Sequence, residues 1–126
     1  MDNLIIEKTK SSPSVNFNAA TGKWELIGSS YPENASEFYQ PIFEWINKYI
    51  TEVTREISID FKLDYLNSSS IKFIAEMVDK LNKYSKIGIE VEINWHYREE
   101  DEDILDLGQE FKEEVSCKFN IIEDWG

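Results

Sequence analysis

The chain has 126 residues, 41% of them hydrophobic, with four Trp, six Tyr and seven Phe, enough apolar material for one core without metal or disulfide support. A formal charge of −12 argues against nucleic acid and anionic membrane surfaces as partners, because like charge repels both. Cys117 is alone, no apolar run reaches membrane-spanning length, and residues 1–7 have neither the basic start nor the apolar stretch of a signal peptide, so a cytoplasmic setting is expected.

In chain order, residues 4–8, 15–17 and 23–27 read as short strands, the last two joined by a turn at Thr21-Gly22 into a hairpin edge. The segment from Ser30 through Tyr31, Pro32, Glu33 and Asn34 opens a helix. Its wide apolar face is Phe38, Ile42, Phe43, Trp45, Ile46, Tyr49 and Ile50, with Pro41 in an early turn or at a break. Ile57, Ile59, Phe61, Leu63 and Tyr65 alternate with Ser58, Asp60, Lys62 and Asp64, the period of a strand buried on one face. Ile71, Ile74, Ala75, Val78 and Leu81 then fall on one side of a helix that closes near Lys86-Ile87-Gly88. Alternation resumes from Ile87 through Ile89, Val91, Ile93 and Trp95 to Tyr97 and predicts the next strand.

A strand, a helix and a strand at this spacing imply a right-handed βαβ crossover between parallel strands. The acidic run at residues 99–103 leads into a helix carrying Ile104, Leu107, Phe111 and Val115, and residues 119–122 close as a last strand. Because the central strands are polar at alternate positions, the expected fold is α/β: one domain over residues 1–126, with a mixed sheet, helices mainly on one face and the other face partly wet.

The junction Leu66-Asn67-Ser68-Ser69-Ser70-Ile71 places three hydroxyls where a strand runs into a helix. A helix start offers unpaired N–H groups and the positive end of a dipole, so a phosphate esterified there is held rather than repelled. Serine and asparagine are also preferred N-caps, and capping alone uses one side chain of the four. The following helix has a second apolar stripe, Phe73, Met77 and Tyr84, which suits either a helix buried on two sides or a docking surface. A hydrolytic triad of Ser68, His96 and Asp64 is conceivable, yet no Gly-x-Ser-x-Gly elbow surrounds Ser68 and His96 belongs to the polar face of its strand. Residues 99–103 lack the glycine that a calcium loop needs, and Cys117 has no metal-ligand companion, so neither metal nor cofactor is expected.

Four segments in order, Ser30-Tyr31-Pro32-Glu33-Asn34, then Phe38-Tyr39 with Trp45, then residues 65–72, then Trp95-His96-Tyr97, resemble the SiaC-type regulatory phosphoproteins over essentially the whole chain. That family is similar in fold to STAS domains, the anti-sigma factor antagonists, whose phosphorylated hydroxyl also sits at a strand-to-helix junction. The resemblance implies a non-enzymatic, partner-switching protein of bacterial cyclic di-GMP signalling and biofilm regulation. A GHKL-type kinase would phosphorylate it, a PP2C-like phosphatase would reverse this, and the unmodified form would bind and activate a diguanylate cyclase. The implied acceptor is Ser68, where the family commonly has threonine, with Ser69 and Ser70 as secondary candidates. Partner contacts are expected from Tyr31, Glu33, Asn67, Ser68, Phe73 and Met77. An anti-sigma factor antagonist using the same switch, or a small serine-dependent hydrolase, are the alternative readings.

Overall fold

The computed structural model describes residues 1–124 and contains, in chain order, β1 (Leu4–Ile6), β2 (Ser14–Phe17), β3 (Lys23–Ser30), α1 (Ala35–Glu52), β4 (Ile57–Leu66), α2 (Ser68–Lys86), β5 (Val91–Tyr97), α3 (Glu102–Glu114) and β6 (Lys118–Glu123). One mixed sheet holds all six strands in the order β1-β2-β3-β4-β5-β6. The β1–β2 and β2–β3 pairs are antiparallel, and the pairs from β3 to β6 are parallel. Three successive crossovers in the same direction carry α1, α2 and α3 to one side of the sheet, because each right-handed connection must pack on that side.

The strand register sorts the two faces. Leu26, Phe61, Trp95 and Ile121 stand in one row beneath the helices, and Trp24, Ile59, Ile93 and Phe119 in the next. These rows join Ile42, Ile46, Ile74, Met77 and Leu81 in a single core cluster. On the opposite face the rows are polar: Asp60, Asn94 and Asn120 align, and Asn120 Nδ2 donates to Asn94 Oδ1 at 2.9 Å. The expected division into one covered and one wet face holds.

Two details differ from the pattern reading. The strand expected from Ile87 starts at Val91, since Ile87 caps α2, Gly88 has φ +102°, and the Ile89 amide bonds back to the Tyr84 carbonyl at 3.1 Å. Ile87 is 74% exposed, so its place in the alternation was coincidence and not burial. Pro41 falls in the second turn of α1 and does not break the helix, the first of the two placements expected. The second difference is a register shift between Gly28 and Ser30: Gly28 faces Leu63, but Ser30 faces Leu66, so β4 holds one extra residue. Such a bulge re-aims the side chains beyond it. Leu66 turns inward at 8% exposure, and Tyr65, expected in the buried row, turns out at 55%.

Candidate functional site

The bulge delivers β4 directly into the first turn of α2. The Asn67 amide donates to the Ser30 carbonyl at 3.1 Å, which ties the junction to the end of β3. Asn67 is the N-cap in extended conformation, and its Oδ1 accepts the Ser70 amide at 2.9 Å. One side chain therefore does the capping, and the three serines are left to other uses.

Their fates diverge with helical geometry. Ser68 and Ser69, the first two helical residues, are exposed, whereas Ser70 is fully buried. Ser70 Oγ lies 2.8 Å from Ser30 Oγ, which lies 2.6 Å from the Tyr39 hydroxyl, and all three residues are 0% exposed. This hydroxyl relay pins the start of α2 to β3 and α1. Burial pushes the Tyr39 phenol above its ordinary value, with the hydrogen bonds to Ser30 and Ser70 pulling against that shift. Tyr39→Phe removes one end of the relay and leaves Ser30 bonded to Ser70, so an expected loss of about 1 kcal/mol follows, read as a lower urea midpoint with unchanged slope. An unchanged midpoint would mean that the relay contributes nothing to the fold.

Beside the exposed serines stands an aromatic pair. Tyr31, just past β3, and Tyr65, turned out by the bulge, meet edge to face with ring centroids 5.8 Å apart. Among the partner contacts expected from sequence, the structure brings Tyr31, Asn67 and Ser68 to this one end of the sheet, with Glu33 exposed in the loop before the α1 cap Asn34. Phe73 is half-buried, stacked on Tyr39 at 5.1 Å. Met77 is 0% exposed, so it belongs to the core and offers nothing to a partner. Ser70 is withdrawn from any acceptor role in the folded state for the same reason. Pattern reasoning placed Tyr65 in the buried row because a period of two cannot reveal a bulge, and it gave Ser30 no part in a relay because its partners lie nine and forty residues away.

His96 does not meet Ser68 in a triad. Its Nε2 is 2.7 Å from Asp60 Oδ1 and its Nδ1 is 2.7 Å from Asp124 Oδ1, on the wet face of the sheet, while Asp64 pairs with Arg98. The imidazole is 6% exposed and links β4, β5 and the end of β6. His96→Ala deletes both bonds, and a stability loss of about 1–2 kcal/mol is expected in chemical denaturation; no loss would show that the link is idle. Among the described residues no group of three or more His, Cys, Asp or Glu could hold a metal ion. No helix formed by them is long and apolar enough to cross a membrane.

Comparison with known proteins supports the fold and gives the family. Residues 6–124 match the family model described as SiaC family regulatory phosphoprotein. An uncharacterized protein of Pseudomonas aeruginosa strain UCBPP-PA14 is 33% identical over 121 residues, 96% of each chain. SiaC of P. aeruginosa superposes with a TM-score of 0.87 at 31% identity, covering 98% of both chains. The crystal structure of the diguanylate cyclase SiaD in complex with its activator SiaC, also from P. aeruginosa, matches with a TM-score of 0.91 at 32% identity, over 96% of this chain and 99% of the matched one. With nearly the whole length matched in both sequence and fold, the chain belongs to the SiaC family of regulatory phosphoproteins.

Proposed function

We propose that this protein is a non-enzymatic partner switch whose state is set by phosphate on Ser68. A GHKL-type kinase transfers the γ-phosphoryl group of ATP to Ser68 Oγ, releasing ADP and the hydroxyl proton, and a PP2C-like phosphatase hydrolyses the ester. The unmodified form binds and activates a diguanylate cyclase in the cytoplasm. The observation that carries this reading is the exposed Ser68 hydroxyl at the first position of a helix that Asn67 already caps. Membership of a regulatory phosphoprotein family, and the SiaC relative found with a cyclase it activates, supply the partner class.

The site's physics supports the assignment. A phosphoserine brings about −1.5 to −2 charge, and at the helix start it meets the unpaired amides of the first turn and the dipole's positive end. The modification is therefore tolerated by the fold, and its cost falls on whatever apolar or acidic surface had docked there. Tyr31 and Tyr65, exposed at 37% and 55%, are aromatic surface that such a partner would cover.

Peptide mass mapping after reaction with the kinase and ATP tests the acceptor. Phosphate on Ser68, with Ser69 minor and Ser70 unmodified, is the expected pattern. Phosphate on Ser70 alone would require the buried relay to open, and phosphate nowhere would end the proposal.

A further inference from the structure

A groove of about 320 Å³ runs between the first turn of α2 and the side of α3. Tyr65, Leu66, Ile71, Ile104 and Leu107 form an apolar lining, of which Tyr65, Ile71 and Leu107 are partly open to solvent. Its rim carries Asp64, Asp101, Asp103, Asp106 and Glu110, and none of the described residues lining it is Lys or Arg. Two of these carboxylates serve the fold: Asp64 pairs with Arg98, and Asp101 caps α3 by accepting the Ile104 amide at 3.1 Å.

Asp103, Asp106 and Glu110 are different. They are exposed and follow one another at three and four residues along α3, where like charges repel and destabilise the helix by tenths of a kcal/mol per pair. Asp103, in the first turn, gains from the helix dipole, but Asp106 and Glu110 lie beyond that turn, and a cation along the rim would relieve their repulsion. The volume is at the lower limit for a small-molecule site and suits a pair of aliphatic side chains better. An apolar strip bordered by charge of one sign is the complement of an amphipathic helix bordered by the other.

We propose that this groove docks a cationic amphipathic helix of another protein, with aliphatic side chains on Ile71 and Leu107 and Lys or Arg along Asp103, Asp106 and Glu110. Charge sign excludes nucleic acid and anionic lipid as occupants. Phosphate on Ser68, three residues before Ile71, adds charge of the same sign as the rim. A cationic helix is therefore not expelled by it, so the groove serves a partner distinct from the target that phosphorylation releases, the two sharing Tyr65. That last distinction rests on the Ser68 reading; the groove itself does not.

The test uses the unmodified full chain and a fluorescein-labelled amphipathic peptide of about fifteen residues, long enough to hold a helix when docked, with Leu on one face and Lys on the other. Two control peptides keep the pattern but replace Lys with Glu, or Leu with Ser. Asp106→Lys/Glu110→Lys is compared with Glu113→Lys/Glu114→Lys, an equal charge change on the same helix outside the groove, all four positions being exposed. The Leu/Lys peptide is expected to bind, with amide shifts confined to residues 64–71 and 101–110. The groove variant should weaken it roughly tenfold or more and the outer variant less than about threefold, since only close charge pairs escape solvent screening. Ser68→Asp should bind this peptide no more weakly than the parent chain.

Equal losses in the two lysine variants would reduce the effect to general attraction by an acidic chain and overturn the proposal. So would binding of the Ser/Lys or Leu/Glu peptide as tightly as Leu/Lys, or shifts centred elsewhere. Strong weakening by Ser68→Asp would make the groove part of the phosphate-released surface and overturn the claim of a separate partner.

Discussion

Ser68→Asp is expected to bind the target diguanylate cyclase at least about tenfold more weakly than Ser68→Ala, a difference of roughly 1.4 kcal/mol. Alanine at the first helical position removes a hydroxyl that no bond of the fold requires, since Asn67 supplies the cap. Ser68→Ala is therefore expected to keep the target and lose phosphate control. Aspartate brings one charge where phosphate brings nearly two, so its effect is a lower bound on that of the genuine ester. The two observables move in opposite directions, which protects the result from a folding artefact. A carboxylate in the first turn should raise thermal stability by about 0.3–1 kcal/mol through the helix dipole while it lowers affinity. Calorimetric titration against the cyclase reads the binding side, and a thermal melt reads the other. Equal affinities for the alanine, aspartate and phosphorylated forms would mean that Ser68 regulates nothing.

Gly108→Ala should destabilise the fold by about 1–3 kcal/mol, lowering the melting midpoint by roughly 5–10 °C for a chain of this size. Alanine ordinarily improves a helix interior by up to about 1 kcal/mol over glycine, so the sign depends on packing. Here packing decides against it. A Cβ on Gly108 would stand 2.3 Å from Trp95 Cδ1 and 2.5 Å from its Nε1. Trp95 is itself 0% exposed, with Phe61, Phe111 and Phe119 around it, so it has no room to retreat. Its Nε1 also donates to the Ile104 carbonyl at 2.8 Å, a bond that fixes α3 on the sheet and would be broken as the helix lifts. A variant as stable as the parent would show that α3 sits further from Trp95 than the structure places it.

The amino-acid pattern alone was sufficient for the elements that obey one period throughout. The alternation from Ile57 to Leu63 and from Val91 to Trp95, and the apolar side of α2, place the core rows without reference to anything distant in the chain. The Asn67 and Asp101 caps are local too, their bonds reaching only three residues ahead, but several polar residues at each helix start left the choice among them to the structure. The crossover and the one-sided helix layer follow from chirality once the element order is known.

Tertiary structure decided what depended on contacts between distant segments. The extra residue in β4 is a property of its pairing with β3, and it turned Tyr65 outward and Leu66 inward against the period. Met77, two turns along α2, left the surface because α2 buries a wider arc than its apolar stripe alone implied. The three serines are chemically alike in sequence; helical geometry turns Ser70 inward, where Ser30 and Tyr39, brought by β3 and α1, close over it. His96 found its two carboxylates in the same way, across the strand rows and not along its own strand. Local chemistry thus determined where a phosphate would be welcome, and packing determined which hydroxyl is within reach of it.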